Sequence, residues 1–197
     1  MTDSRYPGRV TTPLEGIGHR PWDPSATIDA PLSLHHPVVL PQWVDYNGHM
    51  SESCYLLVFG DSSDAFFRYI GIDEAYRDTG GHSLYTVETQ LHNLREASQG
   101  EPLSLTLQLL DADEKRLHIF HAMYHGSSGV LLATAEQLLV HVNMAQGRSE
   151  AMPAELYQRV LAIRAAHAAL PVPPQVGHAI GIRRKPARDF ATHTYAT

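Results

Sequence analysis

An α+β fold, with an antiparallel sheet packed on one long helix, follows from three features of this chain. Tyr55, Phe59, Ser62, Phe66 and Ile70 recur at helical spacing inside an apolar stretch. Leu103, Leu105, Leu107 and Leu109 alternate with Ser104, Thr106 and Gln108, the period of a strand buried on one face. Turn-rich breaks at 111–115 and 126–129 separate two further strand-like runs, so a buried helix is followed by a meander.

Each element can be justified in chain order. Residues 1–31 carry eight Pro and Gly positions from Pro7 to Pro31 and no sustained apolar period, which predicts an extended or flexible arm with Trp22 as its anchor. The segment 34–44 predicts a first strand centred on Val38, Val39 and Leu40, and Pro37 and Pro41 at its limits place it at an edge or a bulge. A helix is expected from Ser51 to Ile70, with Ser51 as N-cap and Gly71 as its stop. Gly60 in its middle costs about 1 kcal/mol relative to Ala, and a close backbone approach would account for it. Residues 82–144 read as strands, with runs at 103–109, 116–125 and 130–144. A last helix over 153–169 presents Leu156, Val160, Ile163 and Ala166 or His167 on one face, and Pro171-Val172-Pro173-Pro174 ends it. The expected organisation is one domain over 32–170, between the arm and a Pro-containing basic tail over 171–197.

Composition excludes several classes. A formal charge of −6 argues against a nucleic-acid role, because phosphate binding draws on clustered Lys and Arg. The single cysteine, Cys54, allows no internal disulfide, which fits a reducing cytoplasm. No apolar run reaches membrane-spanning length and no leader-like segment opens the chain, so no membrane partner is expected. Thirteen histidines invite a metal, yet no His-Glu-x-x-His or Cys-x-x-Cys framework appears, and His118 and His121, three apart on a strand, should face opposite sides. No metal site is expected.

Chemistry concentrates at Trp43-Val44-Asp45-Tyr46-Asn47-Gly48-His49-Met50-Ser51-Glu52, an acidic group in a Gly-containing turn directly before the long helix. A helix N-terminus offers unpaired amides and partial positive charge that can stabilise an oxyanion, while Asp45 activates water or attacks directly. The alternative is an Asx-turn leading into an N-cap. With the aromatic helix and strands that follow, Asp45-Tyr46-Asn47-Gly48-His49-Met50 resembles the hotdog-fold acyl-CoA thioesterases of the 4-hydroxybenzoyl-CoA thioesterase type, over roughly residues 33–145. The longer string to Glu52, with Phe59-Gly60-Asp61 and Tyr85-Thr86-Val87-Glu88-Thr89, looks closest to the betainyl-CoA thioesterases of carnitine breakdown.

That resemblance implies a sheet wrapped around the 51–70 helix, and homodimers, or a tetramer built from them, with active sites shared between subunits. The Asp45 end of one subunit would face the helix and the 87–95 strand of the other. By the same resemblance Asp45 is the catalytic carboxylate, nucleophile or general base, acting on a short polar acyl-CoA such as betainyl-CoA; coenzyme A is part of the substrate and no cofactor is implied. Read from their chemistry, His49 is an orienting group, Asn47 bonds the turn backbone or positions water, and the amides of Ser51, Glu52 and Ser53 are the oxyanion donors. The family pattern commonly has Asn where this chain has Ser51. The side chain of Glu52 is a rival base, with favourable charge at the helix N-terminus as its bland role. A trimethylammonium head needs a carboxylate or aromatic faces, for which Glu88 and the rings of Trp43, Tyr46, Tyr55, Phe59 and Tyr85 are candidates; core packing is the bland role for most of these rings, and Trp43 and Tyr46 flank the motif itself. Arg95, Lys115, Arg116 and the Arg183-Arg184-Lys185 cluster are candidate cations for the CoA phosphates, and the resemblance implies that Arg95 is the best placed, at the end of the strand lining the shared site.

Two other readings stand beside hydrolysis. A hotdog-fold hydratase would add water to an enoyl-CoA with Asp45 and His49, but the Pro usual in that motif is missing. A non-catalytic acyl-CoA sensor would bring a DNA-binding module, and the short basic cluster is not one. Gly60-Asp61-Ser62 and 126–129 lack the strand-to-helix setting of a serine nucleophile.

Overall fold

The computed structural model describes residues 20–182. Residues 1–19 of the expected arm, and Arg183, Arg184 and Lys185 of the expected tail, lie outside that range. The elements run β1 (Leu32–His35), α1 (Glu52–Ile70), α2 (Glu74–Gly80), β2 (His82–Asn93), β3 (Leu103–Ala112), β4 (Arg116–His125), β5 (Leu131–Asn143), β6 (Arg148–Ser149) and α3 (Ala154–His167). The strands form one sheet in the order β1-β3-β4-β5-β2, antiparallel throughout, with β6 on the end of β5. This is the α+β hotdog arrangement, with α1 lying on one face of the sheet.

The leucine alternation of β3 sends Leu103, Leu105, Leu107 and Leu109 into that face. They meet Val58, Phe59, Phe66 and Ile70 of α1, with Met123 of β4 and Leu139 of β5. Full burial of one such side chain contributes about 1.5–3 kcal/mol, so the α1–sheet contact dominates the core. Gly71 ends α1 in the left-handed region at φ 100°, and its N–H bonds the Phe67 and Arg68 carbonyls. At the far end α3 buries Leu156, Val160, Ile163 and His167, as its spacing predicts. His167 Nδ1 accepts from the Leu109 amide at 2.9 Å, and Nε2 donates to the Asp29 carbonyl at 3.0 Å. Trp22 packs on Tyr69 with ring centroids 5.4 Å apart.

Several expectations need correction. The first strand is shorter and earlier than 34–44, because Pro37 and Pro41 have no N–H to donate; Val38 makes only an isolated bridge to Pro102, and Pro41–Trp43 is a 3-10 turn. Its edge position is as expected. Gly60 is not explained by a close approach, since a Cβ there would meet nothing within 4 Å among the described residues. Helix α2, capped by Asp73 accepting from the Tyr76 amide at 2.9 Å and by Gly81 at φ 65°, was not expected, nor was β6. His118 and His121 do face opposite sides: His118 pairs with Glu136 at 2.8 Å and His121 is fully buried.

The core holds one uncompensated acid. Asp61 on α1 is inaccessible to solvent and neither carboxylate oxygen has a hydrogen-bond partner among the described residues. Burial, then the neighbouring Asp64, raises its pKa from 3.8 to about 6. The folded state therefore favours the protonated acid, and ionised Asp61 costs stability that is fully felt above pH 6 and absent below 3.8. Asp61→Asn is expected to raise Tm by several degrees at pH 8, on the order of 1–3 kcal/mol, with the gain shrinking towards pH 4 in thermal melts.

Candidate active site

The turn before α1 is held by apolar anchors on both sides. Trp43 and Met50 are buried in the half of the core that contains Tyr55, Val58 and Phe59. Between them the chain reverses: Asp45 N donates to His49 O at 3.0 Å, Gly48 N to Asp45 O at 3.0 Å, and Ser51 N to Trp43 O at 2.8 Å. Met50 N donates to Ala97 O at 2.7 Å, which ties this hairpin to the β2–β3 connection. Gly48 closes the turn at φ 82°, a conformation that side-chain-bearing residues avoid.

Asp45 is half-buried, and its Oδ1 accepts from the Asn47 amide at 2.8 Å. The Asx-turn is therefore present, and it orients the carboxylate while Oδ2 has no partner among the described residues. His49 sets Nδ1 3.4 Å from Glu96 Oε2. Glu96 was not singled out in the sequence, because it lies in an irregular connection far along the chain. Asn47 contributes its backbone amide, and its exposed side chain has no partner among the described residues.

At the start of α1 the three expected oxyanion amides separate. The Ser51 amide is already bonded to Trp43 O, so it is not an open donor. Those of Glu52 and Ser53 have no acceptor among the described residues, and Ser51 makes no side-chain cap to them. Both residues are exposed, and the helix presents its positive end there.

The aromatic candidates also divide. Trp43 is a core residue, and Tyr55 is buried with its hydroxyl donating to the Arg95 carbonyl at 3.1 Å. Neither offers a face to a ligand in the protomer, whereas Tyr46 at the turn tip is 96% exposed. Arg95 lies just past the end of β2 with its side chain exposed. Glu88 sits opposite Leu138, beside the Gln90–Glu136 pair, on the face of the sheet away from α1. There it lines a groove of about 850 Å3 with Asp111, Arg116, His118 and Glu136, partly crossed by residues 177–180. Glu88 is thus separated by the sheet from the Asp45 turn of its own protomer. Among the described residues, no cluster of His, Cys, Asp or Glu could hold a metal ion, and no helix is long and apolar enough to cross a membrane.

An oriented carboxylate next to an open helix N-terminus suits hydrolysis of an activated acyl group, and the comparisons with known proteins agree. The model of the thioesterase-like superfamily matches residues 39–160. The chain belongs to this superfamily. It is 47% identical over 151 residues to a betainyl-CoA thioesterase of Pseudomonas aeruginosa, covering 77% of this chain and 95% of that one. It is also 47% identical over 177 residues to an L-carnitine dehydrogenase/betainyl-CoA thioesterase of Rhizobium meliloti, covering 87% of this chain and 36% of that protein. The chain thus spans about a third of the fused relative. Among solved structures, a Staphylococcus aureus protein in complex with CoA superposes with a TM-score of 0.73 at 27% identity, covering 80% of this chain and 100% of that one. A 1,4-dihydroxy-2-naphthoyl-CoA thioesterase from Synechocystis shares the fold, with a TM-score of 0.57 at 17% identity over 71% of this chain and 97% of that one.

A thioesterase-family member that relies on the Asp45 turn should be sensitive to the backbone of Gly48. A Cβ there meets no atom of the described residues within 4 Å, so Gly48→Ala strains the φ of 82°. The expected result is a loss of about 1 kcal/mol in denaturant titration, with a disproportionate fall in turnover as the Asp45 carboxylate shifts.

Proposed function

We propose that this chain is an acyl-CoA thioesterase that hydrolyses betainyl-CoA to betaine and coenzyme A. The observation that carries the reading is the Asp45 carboxylate, oriented through Oδ1 by the Asn47 amide with Oδ2 unengaged among the described residues, on a turn that runs into the Glu52 and Ser53 amides left open there. Water adds to the thioester carbonyl carbon, the carbonyl oxygen takes the negative charge, and collapse breaks the C–S bond to release the CoA thiolate. Asp45 serves either by removing the water proton or by attacking first, forming a mixed anhydride that water opens. Two helix-end amides match the oxyanion, each worth about 2.7–4 kcal/mol in comparable sites.

The 47% identity to the Pseudomonas aeruginosa betainyl-CoA thioesterase over 95% of its length supports the acyl group. Tyr46 is the aromatic face open to a quaternary ammonium, at about 0.5–2 kcal/mol. A homodimer with shared sites fits the sheet: β2 is an edge strand, and Tyr85 and Val87 on it are more than half exposed. Cys54 is an unpaired thiol, consistent with the cytoplasm.

The test is thiol release from betainyl-, acetyl-, butyryl-, 4-hydroxybenzoyl- and crotonyl-CoA by wild type and Asp45→Asn. Betainyl-CoA is expected to be preferred, with turnover falling at least 100-fold in a folded Asp45→Asn protein. Hydrolysis of betainyl-CoA no faster than acetyl-CoA removes the substrate assignment, and near-wild-type Asp45→Asn removes the mechanism.

A further inference from the structure

A chain of buried polar groups runs from the middle of the sheet to its edge. Ser63 on α1 has one hydroxyl proton, set between the Phe59 carbonyl and Gln137 Oε1, both at 3.1 Å. Its oxygen must therefore accept from His121 Nε2, 3.1 Å away. That leaves His121 Nδ1 to accept from the Ser62 hydroxyl at 3.3 Å. Gln137, with its Oε1 facing Ser63, points Nε2 outward and donates to Thr89 Oγ1 at 3.3 Å. Ser62, Ser63, His121 and Gln137 are all buried. Burial pushes the His121 pKa from 6.5 down to about 3, so the ring stays neutral at working pH.

The chain ends at an exposed residue. Thr89 lies opposite Gln137 on β2 and shares its face, the side that carries α1, yet it is open to solvent because β2 is the edge strand. The α1 flank beside it continues from Ser63 through Gly60 to Leu56, positions three and four apart that share a helix face, and both Gly60 and Leu56 are exposed. With Thr89 Oγ1 already accepting from Gln137, its own proton has no acceptor among the described residues and can be donated into this uncovered strip. A quaternary ammonium has no lone pair to receive it, whereas the thioester carbonyl oxygen is a strong acceptor.

We infer that Thr89 is a substrate-contacting residue whose hydroxyl, aimed by the Gln137–Ser63–His121–Ser62 chain, donates a hydrogen bond to the carbonyl oxygen of the thioester presented to the partner's Asp45. This rests on the thioesterase reading and on the shared site. It assigns the function of the strand to Thr89 and leaves Glu88 on the opposite face. The buried residues position the hydroxyl and do not touch substrate.

The test uses the full-length protein with Thr89→Val, which keeps the shape and removes the donor, and Thr89→Ser, which restores it. For Thr89→Val, kcat is expected to fall roughly 10- to 100-fold with KM changed less than about threefold, and Tm to drop modestly because Gln137 Nε2 loses its acceptor, a drop that Thr89→Ser reverses. Thr89→Ser should return to within about threefold of wild type. The factor lost should be the same for betainyl-CoA and for any other ester that the wild type hydrolyses, because the carbonyl is common to all. Asp45-dependent turnover that Thr89→Val leaves intact, or a loss confined to betainyl-CoA, overturns the inference while the thioesterase reading stands. Absence of thiol release from every ester by wild type overturns both.

Discussion

Burial of α1 against one face of the sheet is the constraint on which the rest of the molecule depends. The same helix supplies the largest apolar contact, through Val58, Phe59, Phe66 and Ile70, and the open N-terminus at the candidate site. Because α1 is pinned along its length, the Glu52 and Ser53 amides are held at one place relative to the hairpin that carries Asp45. Trp43 and Met50 complete the arrangement by anchoring that hairpin in the same apolar cluster. Preorganised donors cost no rearrangement when charge develops, which is why such a site belongs on the end of a buried helix and not on a free loop.

The core is not uniformly apolar, and its polar groups divide into two kinds. His121 is satisfied on both ring nitrogens by serines of α1, and the chain continues through Gln137, so its burial needs no charge. Asp61 and His35 are different: each is buried with side-chain atoms lacking a partner among the described residues. Burial lowers the His35 pKa from 6.5 to about 4, with His36 adding to the effect, just as it raises that of Asp61. Groups of this second kind destabilise the fold in their charged forms, and they make its stability depend on pH in opposite senses: Asp61 favours lower pH, His35 higher.

Much of the fold was legible in the residues. The β3 leucines, the helical period of α1 with its Gly71 stop, and the α3 face each express a local periodicity that the tertiary structure kept. Legibility failed where one backbone group outweighed the side-chain pattern: Pro37 and Pro41 broke the apolar run of Val38 to Leu40, and the signals at Asp73 and Gly81 were too short to outline α2. At the candidate site the turn itself could be read from Asp45 to Gly48. The partners of its members could not, because Glu96, Arg95 and Ala97 reach it from a connection about fifty residues away.

By itself the sequence determined α1, β3, α3, the family and the acidic turn, since these depend on residue type and short spacing. Only the tertiary structure decided which side chains the site can use. The clearest case is β2, where a bulge between Thr86 and Glu88 shifts the register against β5. Strict alternation from Leu84 and Thr86 would place Glu88 on the α1 side; one extra residue reverses the parity, so Thr89 faces α1 and Glu88 faces away. No composition or spacing rule announces that residue, because the bulge is a property of two paired strands and not of either one. The Ser51 amide and the Trp43 and Tyr55 rings follow the same logic: their identities suggested availability, and pairing within the hairpin consumed the amide as core packing consumed the rings.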